Sequence, residues 1–262
     1  MKSLAHFVGA WLRAIVHLVR GVVAGVRLVR DPDRLPEVFV LDRAVTSPST
    51  LARMLARLRA DDRARDALRV RAPVVIPPLA ELAALPEGTL GRSFADFMQA
   101  RGLDPASIPK LTSADEAGFV RQHLYETHDL WHVVTGFDTD VPGELGLQAF
   151  YSAQLDGALP RFLMVGGLLN TRRHGQDEWA ARVDAMARGW QAGRSAALFF
   201  GVRWDTMWDK PLVEVRRALG VRPEGDHPAD SRTERDRPDG DRSAPRSAEL
   251  NAPVQLVLGA HA

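Results

Sequence analysis

"TSADEAGFVRQHLYETHDLWHVVTG", residues 112–136, opens on a capping signal and closes on a glycine. Ser113 and Glu116 have the spacing of a capping box, in which the two side chains satisfy orphan backbone N–H groups at a helix start. Gly136 marks the stop, because glycine takes the left-handed conformation that ends a helix at no steric cost. Between these signals Val120, Leu124, His128 and His132 recur at steps of four, so both histidines lie on the stripe that packs inward. Arg121, Gln122, Glu126 and Thr127 are expected to face mostly outward. Residues four apart on a helix have Cβ atoms about 5–6 Å apart. The His128 and His132 rings can therefore point at one ion without any loop rearrangement, and a shared cation would satisfy two imidazoles that are costly to bury unpartnered. Core histidines bonded to backbone are the alternative that spacing alone leaves open.

Two carboxylates strengthen the metal reading. Asp129 lies one residue on, about 100° around the helix, where it can bind an ion from the side or hold a histidine in its tautomer. Glu144 follows Gly136, Pro142 and Gly143, so the chain can turn, start a second helix and bring Glu144 back to the pair. Three or four nitrogen and oxygen ligands without a thiolate suit zinc, with manganese or iron also allowed by ligand type. Asp138 and Asp140 in "FDTDVPG" read as turn residues. A zinc protease needs glutamate where this chain has Asp129. An HD-type metal-dependent phosphohydrolase needs another histidine well upstream; His123 is too close and on another face, which leaves that hydrolase as the lesser enzyme alternative.

Composition narrows the field around this helix. Of 262 residues 45% are hydrophobic and 26% charged, the balance of a soluble globular chain. The net charge of +1 gives no reason to expect a nucleic-acid partner. Cysteine is absent, which excludes disulfides, thiolate catalysis and thiolate-bound zinc. No dinucleotide fingerprint or flavin motif is visible, and "GTLG" (88–91) reads as a glycine turn capping a helix at 92–102 rather than as a phosphate loop.

The predicted organisation is all-α, a single helical domain over residues 31–222 with extensions at both ends. Residues 1–30 carry Lys2, Arg13, Arg20, Arg27 and Arg30, no acid, and apolar residues at helical period. They read as an amphipathic basic N-terminal helix: a core helix, a membrane-surface helix or an organellar transit peptide, but too interrupted by arginine to span a bilayer. A helix is expected after Asp31-Pro32, running into "LDRAV". "TSPSTLARMLARLRADDRARDALR" starts at a Ser/Thr cap and keeps Leu51, Met54, Leu55 and Leu58 on one stripe. Val74–Ile76 is extended between prolines, followed by a short helix at 79–84. Later helices are expected at 143–158, 160–170, 177–201 and 204–219. Residues 223–262 are expected to be a disordered tail, since until its last residues alanine is the only aliphatic residue in it. Removing it should leave fold and metal content intact. The closing apolar stretch, 250–262, has no assignable role.

The full pattern, His128-Asp129-x-x-His132 and Glu144 after eleven residues, resembles the signature of the ubiquinone (coenzyme Q) biosynthesis family named for the fourth coenzyme Q protein. "ALPEGTLGRSFADFM" (84–98), "GELGLQAFYSAQLDGALP" (143–160) and "GWQAGRSAALFFGVRWDTMWDKPLVEVRRALGV" (189–221) are also similar to that family, so the likeness covers roughly residues 30–222. The resemblance implies a helical fold and a divalent metal, usually zinc, held by His128, Asp129, His132 and Glu144, which would also be the catalytic residues. It implies a lyase that carries out C1 decarboxylation and hydroxylation of a polyprenylated hydroxybenzoate, or else a non-catalytic prenyl-lipid-binding scaffold for other quinone biosynthesis proteins. Peripheral attachment to the cytoplasmic face of a bacterial inner membrane, or to the matrix side of the mitochondrial one, is implied too, and a homodimer is compatible. Leu147, Phe150, Leu159, Phe162, Leu163 and Leu168 are candidates for an isoprenoid groove, with ordinary helix packing the simpler expectation for most of them.

Overall fold

The computed structural model describes residues 35–108, 110, 115–170 and 175–222, and every regular element among them is helical. The expected N-terminal helix at 1–30, Ser113, the tail at 223–262 and its apolar end lie outside the described residues. The α-helices are α1 Leu35–Val45, α2 Pro48–Ala60, α3 Asp62–Val70, α4 Leu79–Ala83, α5 Leu90–Arg101, α6 Glu116–Thr135, α7 Val141–Leu155, α8 Ala158–Asn170, α9 Gly175–Ser195 and α10 Leu212–Leu219. One isolated antiparallel bridge, Thr89 with Pro211, is the β pairing among the described residues. None of the described helices is long and apolar enough to cross a membrane.

Local signals explain most boundaries. The Ser47 hydroxyl accepts the Thr50 N–H at 3.2 Å, and Pro48 sits at the first helical position, where its missing N–H costs nothing. The run that follows is two helices, split at Asp61, whose carboxylate caps α3 by accepting the Ala64 N–H at 2.9 Å. The cap of α6 is Asp115, whose carboxylate accepts the Gly118 N–H at 2.7 Å, so the helix begins two residues later than the Ser113–Glu116 box predicts. Similarly, α5 begins at Leu90 with Thr89 as cap, two residues before the expected start. Gly91 lies within its first turn and donates its N–H to Trp208 O at 2.8 Å. Val75 is exposed in an unpaired segment before α4, as its flanking prolines imply.

The largest departure is between residues 196 and 211, where two long helices are expected and the chain is mostly irregular. α9 stops at Ser195, a single 3-10 turn covers Trp204–Thr206, and α10 is confined to Leu212–Leu219. This loop buries Phe199, Phe200, Val202, Trp204 and Trp208. A helix would spread these residues around its circumference, about 100° per step, leaving some outside. Gly201 supplies the left-handed backbone the loop needs, at φ 81°. Gln154 of α7 ties the start of the loop to the end of α9, accepting the Phe199 N–H at 2.9 Å and donating to Gly193 O at 2.8 Å.

The core centres on α6, whose Val120, Leu130, Trp131 and Val134 are buried against Phe94 and Met98 of α5, Leu147 and Phe150 of α7 and the 196–211 loop. Leu147 and Phe150 are thus core residues rather than groove lining, while Leu159 and Leu163 pack on Leu41. α7 and α9 meet closely: a Cβ on Gly189 would overlap the Gly146 carbonyl, and one on Gly193 would press on the Phe150 carbonyl. The outer faces of α8 and α9 leave Phe162, Val165, Leu169, Trp179, Val183 and Trp190 exposed.

Candidate metal centre

The turn between α6 and α7 brings the candidate residues together. Gly136 ends α6 at φ 82° and donates its N–H to His132 O at 2.8 Å. Asp140 then caps α7, accepting the Gly143 N–H at 2.8 Å, with Pro142 in the first turn. Gly143 is required sterically, since a Cβ there would overlap the Asp138 backbone. Asp138 pairs with Arg101 and accepts the Thr139 N–H at 2.7 Å, so Asp138 and Asp140 serve the turn as expected. Glu144 consequently occupies the first turn of α7, where the helix dipole favours a carboxylate.

Nε2 of His132 lies 3.3 Å from Nε2 of His128 and 3.1 Å from Oε1 of Glu144. Oε2 of Glu144 is 3.9 Å from His128 Nε2, and one donor atom from each of the three residues falls within 4.8 Å of the others. Two donors bound at 2.0–2.1 Å to a tetrahedral zinc stand roughly 3.3–3.4 Å apart, so these spacings fit one ion. The His132 side chain is fully buried, whereas those of His128 and Glu144 are 17% and 16% exposed, which leaves the group reachable from solvent.

Hydrogen bonding supplies a stricter test. Nδ1 of His132 is 2.9 Å from the Phe137 carbonyl, which can only accept, so Nδ1 carries the proton. The Nε2 lone pair of the neutral ring then faces the Glu144 carboxylate and the His128 Nε2. That convergence is repulsive unless a proton or a metal ion sits between the donors. In the absence of an ion a proton takes this place. Burial works to lower the His132 pKa, yet the neighbouring Glu144 and Asp129 carboxylates leave it raised above the ordinary histidine value. Burial opposes the charge of Glu144 as well, but His132 and His128 hold its carboxyl far below the usual range. The donor set and its lone-pair geometry fit a divalent cation.

Asp129 stands apart from this three-residue group, although its charge is felt by it. No hydrogen-bond donor among the described residues reaches its carboxylate. Burial raises its pKa, with Glu144 adding and His128, His132 and Arg101 opposing.

The profile of the Coenzyme Q (ubiquinone) biosynthesis protein Coq4 family matches residues 11–224. The chain belongs to the Coq4 family. It is 27% identical over 216 residues to the mitochondrial ubiquinone biosynthesis protein coq4 of Aspergillus terreus, covering 80% of this chain and 74% of that one. It is 27% identical over 214 residues to the mitochondrial COQ4 homolog of Danio rerio, covering 78% and 75%. A crystal structure from Nostoc punctiforme, of a protein assigned provisionally to ubiquinone biosynthesis, superposes with a TM-score of 0.68 at 28% identity, covering 78% of this chain and 97% of that chain.

Several residues around this Coq4 site escape the sequence reading. Phe97 stacks on His132 with ring centroids 5.8 Å apart, and the Arg101 guanidinium lies 3.9 Å over the other ring, that of Phe97 itself. Tyr151 stacks on His128 at 5.8 Å. Neither aromatic is flagged by spacing, because each comes from a neighbouring helix. His123 is elsewhere: its Nε2 accepts the Gly201 N–H at 3.3 Å and its ring packs on Phe200, so it supplies no ligand. Glu126 and Thr127, expected outside, are buried. Glu126 accepts from Lys110 at 2.6 Å and from Gln122 at 2.9 Å, while Thr127 donates to His123 O at 2.8 Å.

Proposed function

We propose that this Coq4-family chain is a metal-dependent enzyme of ubiquinone biosynthesis that replaces the C1 carboxylate of a polyprenylated hydroxybenzoate with a hydroxyl group. His128, His132 and Glu144 hold the cation, and Asp129 completes or orients the set; zinc is the ion favoured by this ligand chemistry. The observation that carries the reading is the convergence of two histidine lone pairs and a half-buried carboxylate in a chain of this family. A divalent ion held there supplies Lewis acidity to carboxylate and phenolate oxygens and stabilises charge developing on the ring. The protein's part is orientation: the Phe137 carbonyl sets the tautomer of His132, Phe97 sets its ring plane, and the partly exposed His128 edge admits the substrate head group.

Exchange of carboxylate for hydroxyl releases CO₂ and is a two-electron oxidation of the substrate overall. The new oxygen therefore comes either from water, with a two-electron acceptor, or from dioxygen, with two electrons supplied and the second atom leaving as water. Turnover of a prenylated 4-hydroxybenzoate by purified, metal-loaded protein tests the proposal, and labelled dioxygen identifies the oxygen source. His128→Ala is expected to abolish product. Full activity of that variant would end the assignment of this chemistry to the metal site.

A non-catalytic, prenyl-lipid-binding scaffold is the second reading, favoured by the exposed apolar residues Phe162, Val165 and Leu169 on α8 and Trp179, Val183 and Trp190 on α9. Exposed apolar side chains of this kind suit peripheral membrane attachment and contact with other quinone biosynthesis proteins. Normal quinone levels in cells carrying only a metal-free variant would select it over catalysis. An HD-type hydrolase lacks support, since His123 lies in the aromatic core and not with the metal group. The Aspergillus and Danio relatives are named mitochondrial, and a membrane-surface location is proposed for this chain.

A further inference from the structure

We infer that Tyr151 is a positioning residue for His128, fixing both the plane of its ring and the nitrogen it presents to the ion. The inference rests on reading His128, His132 and Glu144 as a metal site. Tyr151 lies seven residues after Glu144 on α7, two helical turns along the same face. One helix face thus supplies a metal-group carboxylate in its first turn and an aromatic hydroxyl further in. The Tyr151 ring lies nearly parallel to Trp131, at 4.1 Å and 11°, and stacks on His128 at 5.8 Å and 22°. Its hydroxyl is 3.4 Å from His128 Nδ1.

The direction of this hydrogen bond follows from the site. Nε2 of His128 faces His132 Nε2 at 3.3 Å and can bind a cation only as a bare lone pair. In a neutral ring the proton is then on Nδ1, and Nδ1–H donates to the Tyr151 oxygen. The opposite arrangement, with Tyr151 donating to Nδ1, would put a proton on Nε2 and close the site to an ion.

The two histidines solve the same problem differently. His132 has a ring partner in Phe97 and a separate backbone acceptor, the Phe137 carbonyl, at 2.9 Å. That acceptor exists because α6 ends just beyond His132. His128 lies a full turn earlier, where the surrounding carbonyls are engaged within the helix. Among the described residues no backbone carbonyl accepts from its Nδ1. One side chain must provide both ring and acceptor, which phenylalanine cannot do. The chain uses tyrosine twice against ten phenylalanines, and this one is almost fully buried, where a hydroxyl is costly unless bonded. The Nδ1 contact of His128, at 3.4 Å, is longer than that of His132, at 2.9 Å.

The test compares full-length wild type, Tyr151→Phe and Tyr151→Leu. Zn²⁺ affinity is read by chelator competition, coordination by the visible absorption of bound Co²⁺, and fold by the melting temperature of the metal-free protein. Tyr151→Phe keeps the stack and is expected to weaken Zn²⁺ binding roughly 10–100-fold, the range for outer-shell partners of metal-bound histidines. Its Co²⁺ spectrum is expected to change while its metal-free melting temperature does not. Tyr151→Leu, losing ring and acceptor together, should bind still more weakly. Wild-type Zn²⁺ affinity and an unchanged Co²⁺ spectrum in Tyr151→Phe would overturn the inference, as would an affinity loss matched by loss of metal-free stability. Wild-type protein that binds neither ion would instead overturn the metal reading itself, and this inference with it.

Discussion

Oε1 of Glu144 stands 3.1 Å from Nε2 of His132, although the two are twelve positions apart along the chain. The turn through Gly136 and Asp140 creates that contact, and the metal proposal depends on it. Glu144→Gln removes the anion while leaving both rings. Bound zinc, measured by elemental analysis, is expected to fall from about one per chain to near none. A wild-type metal content in this variant would disprove the assignment.

Asp129 should behave differently, because it lies outside the three-residue group. Asp129→Asn is expected to keep the ion but with affinity weakened about 10–100-fold, as for a residue that orients ligands. Chelator competition separates this outcome from complete loss, which would make Asp129 an obligatory ligand.

Metal binding and metal-free stability should respond oppositely to pH. The His132 pKa is raised in the folded protein, so the stabilisation from its charged form is fully present below the unfolded value of about 6.5 and is lost as pH rises through the folded value. Metal ions compete with that proton, so Zn²⁺ affinity rises over the same interval. Isothermal titration at several pH values, beside melting curves of metal-free protein, reads both trends.

His123 provides a separate acid response. Burial holds its pKa at about 4, with Glu126 opposing the shift. Because the folded value is depressed, its contribution is intact above the unfolded pKa and is lost as pH falls from about 6.5 towards 4. The loss amounts to roughly 3 kcal/mol by the lower end. His123→Gln should flatten this part of the stability curve, as followed by urea unfolding. An unchanged slope would assign the acid sensitivity to other groups.

Gly189→Ala should destabilise the protein by about 1–3 kcal/mol, since the added methyl meets the Gly146 carbonyl where α9 crosses α7. Thermal unfolding measures it. Glu144 shares α7 with Gly146, so the same variant is expected to weaken metal binding modestly.

The helices around the site were legible because their signals are short-range. Ser47 caps its helix through a hydrogen bond spanning three residues, and Gly136 stops α6 where its sequence position implies. The His128–His132 pair is legible for the same reason, since a step of four residues on a helix leaves little freedom. The 196–211 segment was not, because its apolar residues fit a helical pattern locally and their burial is decided by α6 and α7. The burial of Glu126 is decided from a distance as well: Lys110 and the Val74 N–H, its partners, are brought to it from distant positions.

Helical class, the caps and the facing imidazoles are written in stretches a few residues long, where backbone geometry leaves almost no choice. Which carboxylate stands against His132, that Tyr151 backs His128, and that His123 turns into the aromatic core required the packed molecule. Those meetings join residues from different helices or from opposite sides of a turn, and only the burial of the whole apolar surface determines how such elements lie against one another.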